Sequence, residues 1–379
     1  MNASRKSTVV LAAGGTGGHV FPALALASEL ARQNVGAALV TDERGSAHGG
    51  GSDGIDVHRV QAGGLAGKGV FARIRSVSEL AIGTLQARRL LKSIAPDAVV
   101  GFGGYASVPT MLAARMAGIK TAIHEQNAIL GRANRMLASK AAAIATSFEE
   151  TAGLPPGSAP RVTHTGMPVR PAIAAMRDRD FPALETDGAI NVLVLGGSQG
   201  AHVLSEVIPP SVGQLPDDIR QRLRMTQQCR PEDVEATEAA YRAHGIKAEI
   251  ATFFADVPER LAATHLLIGR SGASTVAEVL TVGRPSILVP YPYAADDHQS
   301  FNAHAVADAG AGWLMPQNAF DPPALAARLQ SLFSLPATLE KAAAAARSVG
   351  RADAAAGLAV MVSNLLPSGS KNNTRENGA

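Results

Sequence analysis

Residues 9–19 read Val-Val-Leu-Ala-Ala-Gly-Gly-Thr-Gly-Gly-His, and residues 191–201 read Asn-Val-Leu-Val-Leu-Gly-Gly-Ser-Gln-Gly-Ala. Each stretch is a short apolar run followed by a glycine-rich turn, which predicts a buried strand that leads into a helix. The two turns start at Gly14 and Gly196, a separation of 182 residues (196 − 14). One such turn is weak evidence for a fold. Two turns at this spacing predict paired Rossmann-like, doubly wound domains that face each other across a cleft.

The alternation of apolar runs with Ala- and Leu-rich stretches continues along both halves. It indicates an α/β fold in which helices cover both faces of parallel sheets. The predicted strands are 8–13, 37–41, 98–101, 121–124, 142–146, 191–195, 248–253, 265–269 and 286–290. The predicted helices of the first half are 21–34, 77–93, 108–117 and 131–140.

The domain boundary is predicted from a proline-rich segment, residues 154–171, which is typical of a junction. We expect one domain over residues 1–168, a second over residues 169–349, and a polar, disordered tail over residues 367–379. The Ala-rich stretch 342–357 predicts further helix.

The composition of the 379 residues excludes several classes of protein. A hydrophobic share of 46% argues against general disorder, and a net charge of +3 with 4% aromatic residues gives no support for a nucleic-acid partner. The single cysteine, Cys229, excludes disulfides within the chain and cysteine-based metal clusters, and it fits a reducing cytosol. No apolar run reaches the length of a membrane span, and the first residues do not resemble a secretory signal, so a soluble protein is expected.

The first glycine turn is suited to a diphosphate or to developing negative charge, because the following helix offers free N–H groups. His19, just beyond it, is a candidate general base. A turn and a histidine that serve only packing are the alternative. Val20 stands where a dinucleotide-binding turn has its third glycine, whereas Asp42 after the second strand keeps that possibility open.

Further polar segments follow other predicted strands. Gly101–Tyr105 is a third glycine turn, and His124–Asn127 is suited either to reading sugar hydroxyls or to a solvated loop. A helix starting near Ser271 or Gly272 would place Ser274 and Glu278 on one face, where a glutamate can reach a ribose. The residues 296–298 (Asp-Asp-His) suggest a metal site, but no second ligand cluster supports one.

Together these segments resemble the MurG family of bacterial cell-wall glycosyltransferases. The matching motifs are GGTGGH (14–19), GFGGY (101–105), HEQN (124–127), GMPVR (166–170), GGSQGA (196–201), RSGAST (270–275) with Glu278, and DHQ (297–299) with Asn302. The resemblance implies a two-domain GT-B fold and transfer of N-acetylglucosamine from UDP-N-acetylglucosamine to lipid I, giving lipid II in peptidoglycan synthesis. It implies an acceptor and membrane-side N-terminal domain, a UDP-sugar donor C-terminal domain, and a last helix, about 350–366, that returns to the first domain.

The resemblance also implies roles for single residues. The donor would be bound by Thr16, Gly17, Gly18, Asn127, Arg170, Ser198, Phe254, Ala273, Ser274, Thr275, Val276, Ala277, Glu278 and Gln299. The acceptor diphosphate would contact Gly15, Gly103, Gly104 and Tyr105. His19 would be the base, with Glu125 as its partner or as the alternative base. No metal site and no obligatory cofactor are expected, with stimulation by a divalent cation left open.

The lipid acceptor implies a membrane surface as a partner and a peripheral location on the cytoplasmic face of the inner membrane. Val70, Phe71, Arg73, Ile74 and Arg75 form an apolar segment with interleaved cations that is suited to anionic lipid heads. A core-facing role for these apolar residues is the alternative. Other functions left open are a UDP-N-acetylglucosamine 2-epimerase or other GT-B nucleotide-sugar protein, a dinucleotide oxidoreductase, and a non-catalytic UDP-sugar or lipid-binding protein.

Overall fold

A computed structural model describes residues 6–43, 45, 55–62, 70–185, 187–197 and 200–367, and for residues 70–75 it describes the backbone alone. The chain divides into two compact units. Unit 1 comprises Met1–Arg170 and Asp353–Ala379, and unit 2 comprises Pro171–Ala352. The predicted tail after residue 367 lies outside the described residues.

Within the described residues, unit 1 is built on a seven-stranded sheet in the order β3-β2-β1-β4-β5-β6-β7. The strands are β1 (Thr8–Ala12), β2 (Gly36–Thr41), β3 (Asp56–Arg59), β4 (Ala98–Gly101), β5 (Lys120–Glu125), β6 (Ala143–Thr146) and β7 (Val162–His164). The helices are α1 (Gly17–Arg32), α2 (Val70–Ile94), α3 (Ser107–Met116), α4 (Arg132–Ala138) and, after unit 2, α14 (Ala354–Ser363). All of the strand pairs are parallel, so their carboxyl ends lie along one edge.

Unit 2 repeats the plan with a six-stranded parallel sheet among its described residues, in the order β10-β9-β8-β11-β12-β13. The strands are β8 (Ile190–Leu195), β9 (Leu223–Gln228), β10 (Lys247–Ala251), β11 (Leu266–Gly269), β12 (Ser286–Leu288) and β13 (Gly312–Leu314). The helices are α5 (Pro171–Ala174), α6 (His202–Gly213), α7 (Asp217–Arg220), α8 (Val234–Ala243), α9 (Val257–Ala262), α10 (Ala273–Val282), α11 (His298–Asp308), α12 (Pro322–Phe333) and α13 (Pro336–Val349). The prediction of two doubly wound parallel-sheet domains is confirmed.

Several elements differ from the sequence prediction. Strands β3, β7, β9 and β13 are not in the predicted set, because they are short or carry polar residues on one face, as in the alternation of β9 (Leu223–Gln228). The proline-rich segment 154–171 contains β7, and the division between the units falls after Arg170. Helix α1 begins at Gly17, four residues before the predicted start, so that His19 lies in its first turn.

The last helix completes the core of unit 1. Leu358 and Val362 of α14 are fully buried in one apolar cluster with Leu26 and Leu30 of α1. Burying side chains of this size stabilises the fold by about 1.5–3 kcal/mol each, so α14 is an integral layer of unit 1. In the part of the chain that the structure describes, no helix combines the length and the hydropathy of a membrane span.

A buried arginine fixes the end of α10 in unit 2. The side chain of Arg284 is 0% exposed, and its guanidinium donates to backbone carbonyl oxygens among the described residues. The acceptors belong to Leu261, Ala262, Val282, Gly283, Arg179 and Asp180. Burial lowers the pKa of Arg284 to about 10, so the group remains a cation at neutral pH. It therefore ties the loops at the ends of α9 and α10 to the segment that opens unit 2.

Candidate active site

The glycine turn after β1 packs against the turn after β4 in unit 1. Gly14 N donates to Gly103 O at 3.0 Å, and a β-carbon on Gly104, whose φ is +72°, would lie 2.8 Å from the Gly14 α-carbon. Only glycine permits this approach in the left-handed region. The His19 ring fills the remaining space, since its Cδ2 would lie 3.0 Å from a β-carbon on Gly14. The structure therefore holds the His19 imidazole at the junction of two glycine turns on the carboxyl edge of sheet 1.

His124 lies behind this junction and is neutral. Burial lowers its pKa to about 4, the hydrogen bond with Gly166 raises it, and the charge of nearby His19 lowers it. Its Nε2 pairs with Gly166 O at 3.0 Å, and Gln126 Nε2 lies 3.3 Å from its Nδ1. The Gln126 amide can only donate at that atom, so the hydrogen-bond network assigns the proton to Nε2. A fully buried neutral imidazole in these bonds supports the site and is not placed to accept a substrate proton.

The Glu125 carboxylate is committed to the protein itself. It is 1% exposed. Its Oε1 accepts from Asn127 N and Nδ2 at 3.0 and 3.1 Å, and its Oε2 accepts from Gly131 N and Asn134 Nδ2 at 2.9 and 2.8 Å. Four donors saturate both oxygens. The arrangement fits an acid that fixes the loop carrying Asn127, whereas a general base needs a lone pair turned toward the substrate.

In unit 2, helix α10 begins at the carboxyl edge of sheet 2 with an uncapped N-terminus. Its N-cap is Gly272, which has no side chain to satisfy the first N–H groups. These groups belong to Ala273, Ser274 and Thr275, all partly exposed, and they carry the positive end of the helix dipole. Glu278 follows Ser274 by one turn on the same face. Val276 is buried in the core. Within the predicted stretch 273–278 its side chain therefore packs inside the protein, whereas the partly exposed residues face the candidate site.

The side chain of Gln299 is oriented by its neighbours. Tyr291 N donates to Gln299 Oε1 at 2.9 Å, and Ser271 Oγ donates to Gln299 O at 2.8 Å. The buried Asn302 donates to Ser271 O at 3.0 Å. Since the amide oxygen of Gln299 is used, its NH₂ group is the end that can donate to a sugar hydroxyl.

Arg270 and His202 at this edge were not among the predicted site residues. Arg270, directly after β11, donates to Val289 O, Pro290 O and Gln317 Oε1 at 3.0, 3.1 and 2.7 Å. Burial lowers its pKa. His202, the first residue of α6, has its pKa raised by a hydrogen bond to Asp233. Their positions directly after a strand and at a helix start are the sequence signals that identify them.

Phe254 lies in the loop between β10 and α9, and a single arginine holds that loop. The Phe254 ring is buried, and the Arg260 guanidinium carbon lies 4.3 Å from its centroid. Arg260 pairs with both carboxylate oxygens of Glu249 at 2.6 and 2.8 Å and with Asp256 at 2.7 Å. The ring faces the protein, so the groups that the loop offers near Phe254 are its backbone atoms.

The remaining predicted residues are placed as follows. Thr16 is the exposed N-cap of α1, Gly17 and Gly18 form its first turn, and Tyr105 follows the Gly103–Gly104 turn. Gly15 packs against the Asp42 carboxylate, which fills the space of a β-carbon. Arg170 is exposed at the end of unit 1. Ser198 lies outside the described residues, as do the side chains of Val70, Phe71, Arg73, Ile74 and Arg75, whose backbone forms the start of α2.

Two doubly wound parallel sheets, with a histidine at one carboxyl edge and uncapped helix amides with cations at the other, define a GT-B glycosyltransferase. Residues 9–146 match the glycosyltransferase family 28 N-terminal domain, and residues 191–358 match the glycosyltransferase family 28 C-terminal domain. The predicted enzyme class is thereby confirmed.

Similarity to individual proteins narrows the class further. The chain is 57% identical over 364 residues to the UDP-N-acetylglucosamine--N-acetylmuramyl-(pentapeptide) pyrophosphoryl-undecaprenol N-acetylglucosamine transferase of Paramagnetospirillum magneticum, covering 96% of this chain and 98% of the relative. The enzyme of the same name from Rhodospirillum centenum is 54% identical over 93% of this chain and 92% of its own. The crystal structure of Acinetobacter baumannii MurG is 31% identical, with a TM-score of 0.78 over 94% of this chain and 99% of its own. The chain belongs to the MurG family of glycosyltransferase family 28.

The rival epimerase interpretation is not favoured. The UDP-GlcNAc 2-epimerase from Neisseria meningitidis shares the fold with a TM-score of 0.67, but its sequence identity is 13%. A likeness at that level reports architecture alone. The resemblance to the MurG family that the motifs predict is confirmed by sequence identity along nearly the whole chain.

Proposed function

We propose that this enzyme transfers N-acetylglucosamine from UDP-N-acetylglucosamine to the muramoyl C4 hydroxyl of the undecaprenyl-diphosphate-linked acceptor lipid I, giving lipid II for the cell wall. The observation that carries the proposal is the 57% identity, over 96% of the chain, to a relative with that activity in its name. The two sheet edges support it, because one offers a base and the other offers groups for a nucleoside diphosphate.

His19 is the group that takes the acceptor proton. In a single displacement, the acceptor oxygen attacks the sugar C1, its proton passes to a base, and the C1–O bond to UDP breaks. Of the two candidates, His19 is partly exposed at the glycine turns, whereas Glu125 is saturated by internal donors. A positioned base contributes about 10²–10⁴-fold to the rate.

Unit 2 binds the donor and stabilises the leaving UDP. The first N–H groups of α10 and the positive end of its helix dipole face the donor. They stabilise the negative charge that grows on the leaving diphosphate. Glu278 receives the ribose hydroxyls, the backbone beside Phe254 receives the uracil, and Gln299 donates to the sugar. Arg170, Ser198, Asn127 and the 16–18 turn contact the donor diphosphate and sugar as the family pattern implies.

The test is UDP release from UDP-N-acetylglucosamine with and without a lipid I analogue. We expect release that depends on the acceptor and yields the disaccharide lipid. Isomerisation of the donor without acceptor would support an epimerase instead, and donor binding without turnover would support a non-catalytic role. Parallel reactions with EDTA and with added Mg²⁺ test the expectation that no cofactor is obligatory and that a divalent cation can stimulate.

The acceptor lipid requires the enzyme to bind a membrane surface, and the described part of α2 offers a face for this contact. Val77, Ala81 and Leu85 repeat every four residues and are exposed, with Val77 at 64% and Leu85 at 57%. The same face continues into the exposed cations Arg88, Arg89 and Lys92. Apolar side chains that insert among lipid heads, next to cations that pair with anionic lipid, are typical of peripheral binding. We infer that unit 1 docks on the cytoplasmic face of the inner membrane through α2.

Co-sedimentation with vesicles that contain anionic lipid tests this docking. The double variant Val77→Ser/Leu85→Ser should lose most of the bound fraction and keep turnover on a water-soluble acceptor. Leu335→Ser is the matched control, because Leu335 is 60% exposed on unit 2. Equal binding of the double variant and the control would place the membrane contact elsewhere.

A further inference from the structure

Arg230 packs directly on the glycine turn that follows β8. It stands two residues beyond β9, and β9 pairs with β8 in parallel, so both segments emerge at the same edge of sheet 2. Gly200 in the turn has a φ of +67°, and a β-carbon there would lie 2.6 Å from Arg230 Cγ. The absent side chain of Gly200 is therefore the space that the Arg230 stem occupies.

The guanidinium of Arg230 has a donor without an acceptor. Its Nε is buried, and no hydrogen-bond partner for it lies in the part of the chain that the structure describes. Asp233, three residues further on, is engaged by His202 Nδ1 at 2.6 Å. A buried N–H without a partner is unfavourable, so an acceptor supplied by a ligand would stabilise the site.

The charge of Arg230 is felt on both sides of the turn. It lowers the pKa of His202, although the hydrogen bond to Asp233 dominates and raises it. It also lowers the pKa of Arg270, after the larger effect of burial. Strand β8 lies between β9 and β11, so Arg230 and Arg270 flank the segment that β8 leads into. Arg270 donates to three protein acceptors, whereas the Nε of Arg230 has none in the described part of the chain.

We propose that Arg230 binds the diphosphate of the nucleotide-sugar donor beside Gly200, an inference that rests on the function proposed above. Its guanidinium would donate to phosphate oxygens and hold the diphosphate next to this glycine. The planar fork of arginine suits two phosphate oxygens at once, which a lysine ammonium cannot match. Arg230 would contact neither the uracil nor the sugar. Its contribution to binding affinity should therefore depend on the phosphates alone.

Isothermal titration of the full-length protein with UDP, and competition with uridine, separate the phosphate from the nucleoside. Arg230→Met should weaken UDP binding by about tenfold to a hundredfold, as expected for a charged hydrogen-bond donor, and leave uridine binding within about twofold. Arg230→Lys should recover part of the loss, because it restores charge without the fork. Arg242→Met, at an exposed position on α8, is the matched control and should bind both ligands as the unaltered protein does.

Unchanged UDP affinity in Arg230→Met overturns the inference. An equal loss of UDP and uridine also overturns it, because that result would mean damage to the fold or to the nucleobase pocket. Failure of the proposed function has a different signature, since the unaltered protein would then bind no UDP or release none in the presence of acceptor.

Discussion

The carboxyl edges of the two sheets are built alike and charged differently. Each begins with a strand, a glycine turn and a helix, at β1 and α1 in unit 1 and at β8 and α6 in unit 2. Around the first turn lie imidazoles and a buried carboxylate, with His124 held neutral. Around the second lie Arg230, Arg270 and His202, whose pKa is raised. The shared backbone therefore sets where groups are placed, and the side chains after neighbouring strands set which chemistry each edge can perform.

The largest effect is expected from the imidazole of the first edge. His19→Ala should lower kcat by about 10²–10⁴-fold, because the acceptor hydroxyl loses its base. The affinity for UDP should be unchanged, since His19 is not among the groups proposed to bind the nucleotide. Steady-state kinetics with titration of UDP check both parts.

His19→Gln is the control for that prediction, because it keeps a polar side chain of similar reach without a basic nitrogen. It should be as slow as His19→Ala. Near-normal turnover in either variant would mean that His19 is not the general base. The first edge would then have no identified catalytic group to distinguish it from the second.

Acid should change the stability of the two units in opposite directions. The unfolded chain protonates His124 near pH 6.5, but the folded chain holds it neutral to about pH 4. The unfolded state thus binds more protons in this window, so unit 1 should lose on the order of 3 kcal/mol as the pH falls through it. His202 has a raised pKa, so its contribution is present below pH 6.5 and is lost as the pH rises through the raised value.

Hydrogen exchange measured by mass spectrometry from pH 7 to pH 4 can follow each unit by its own peptides. Protection of β5 should fall with acid in the unaltered protein, and His124→Gln should flatten that slope. An identical slope in the variant would show that burial of His124 is not what sets the acid sensitivity of unit 1.

A smaller loss is expected when the Glu125 network is cut. Glu125→Gln keeps the shape but turns an NH₂ group toward former donors, so Asn127 loses its fixed position. We expect kcat/KM to fall by about tenfold to a hundredfold, the cost of one or two unsatisfied buried groups. A loss in kcat as large as that of His19→Ala, about 10²–10⁴-fold, would restore Glu125 as the base.

The sequence predicts the repeated strand–turn–helix units well, because each is a local pattern of apolar residues followed by glycine. It also places the polar segments 124–127 and 270–278 at strand ends, where the structure has them. Helix α1 begins at Gly17, four residues before the predicted start. Helix propensity does not predict this start, because glycine is a poor helix former. The packing of the two glycine turns determines where the helix begins.

The roles within the site depend on contacts that sequence order does not show. The sequence leaves Glu125 as the partner of His19 or as the alternative base. It does not show the four donors to the Glu125 carboxylate, which come from residues two to nine positions further along the chain. Arg230 follows β9, a strand that the sequence pattern does not predict because polar residues alternate along it. Its contact with Gly200 spans 30 positions (230 − 200). Such pairings follow from the order of strands in the sheet, which is a tertiary property.

The smallest effect should come from the loop beside Phe254, where an exposed network does the positioning. Arg260 is held by Glu249 and Asp256, whose side chains are 59% and 52% exposed, so water screens these pairs. Its contact with the Phe254 ring adds a modest cation–π attraction. Arg260→Met should therefore raise the KM for the donor about two- to fivefold and leave kcat unchanged, because the loop keeps its course and only loses rigidity. Arg328→Met, exposed on α12, is the control. A fall in kcat with an unchanged KM would mean that Arg260 acts on the reacting groups, and the second edge would then do more than bind the nucleotide.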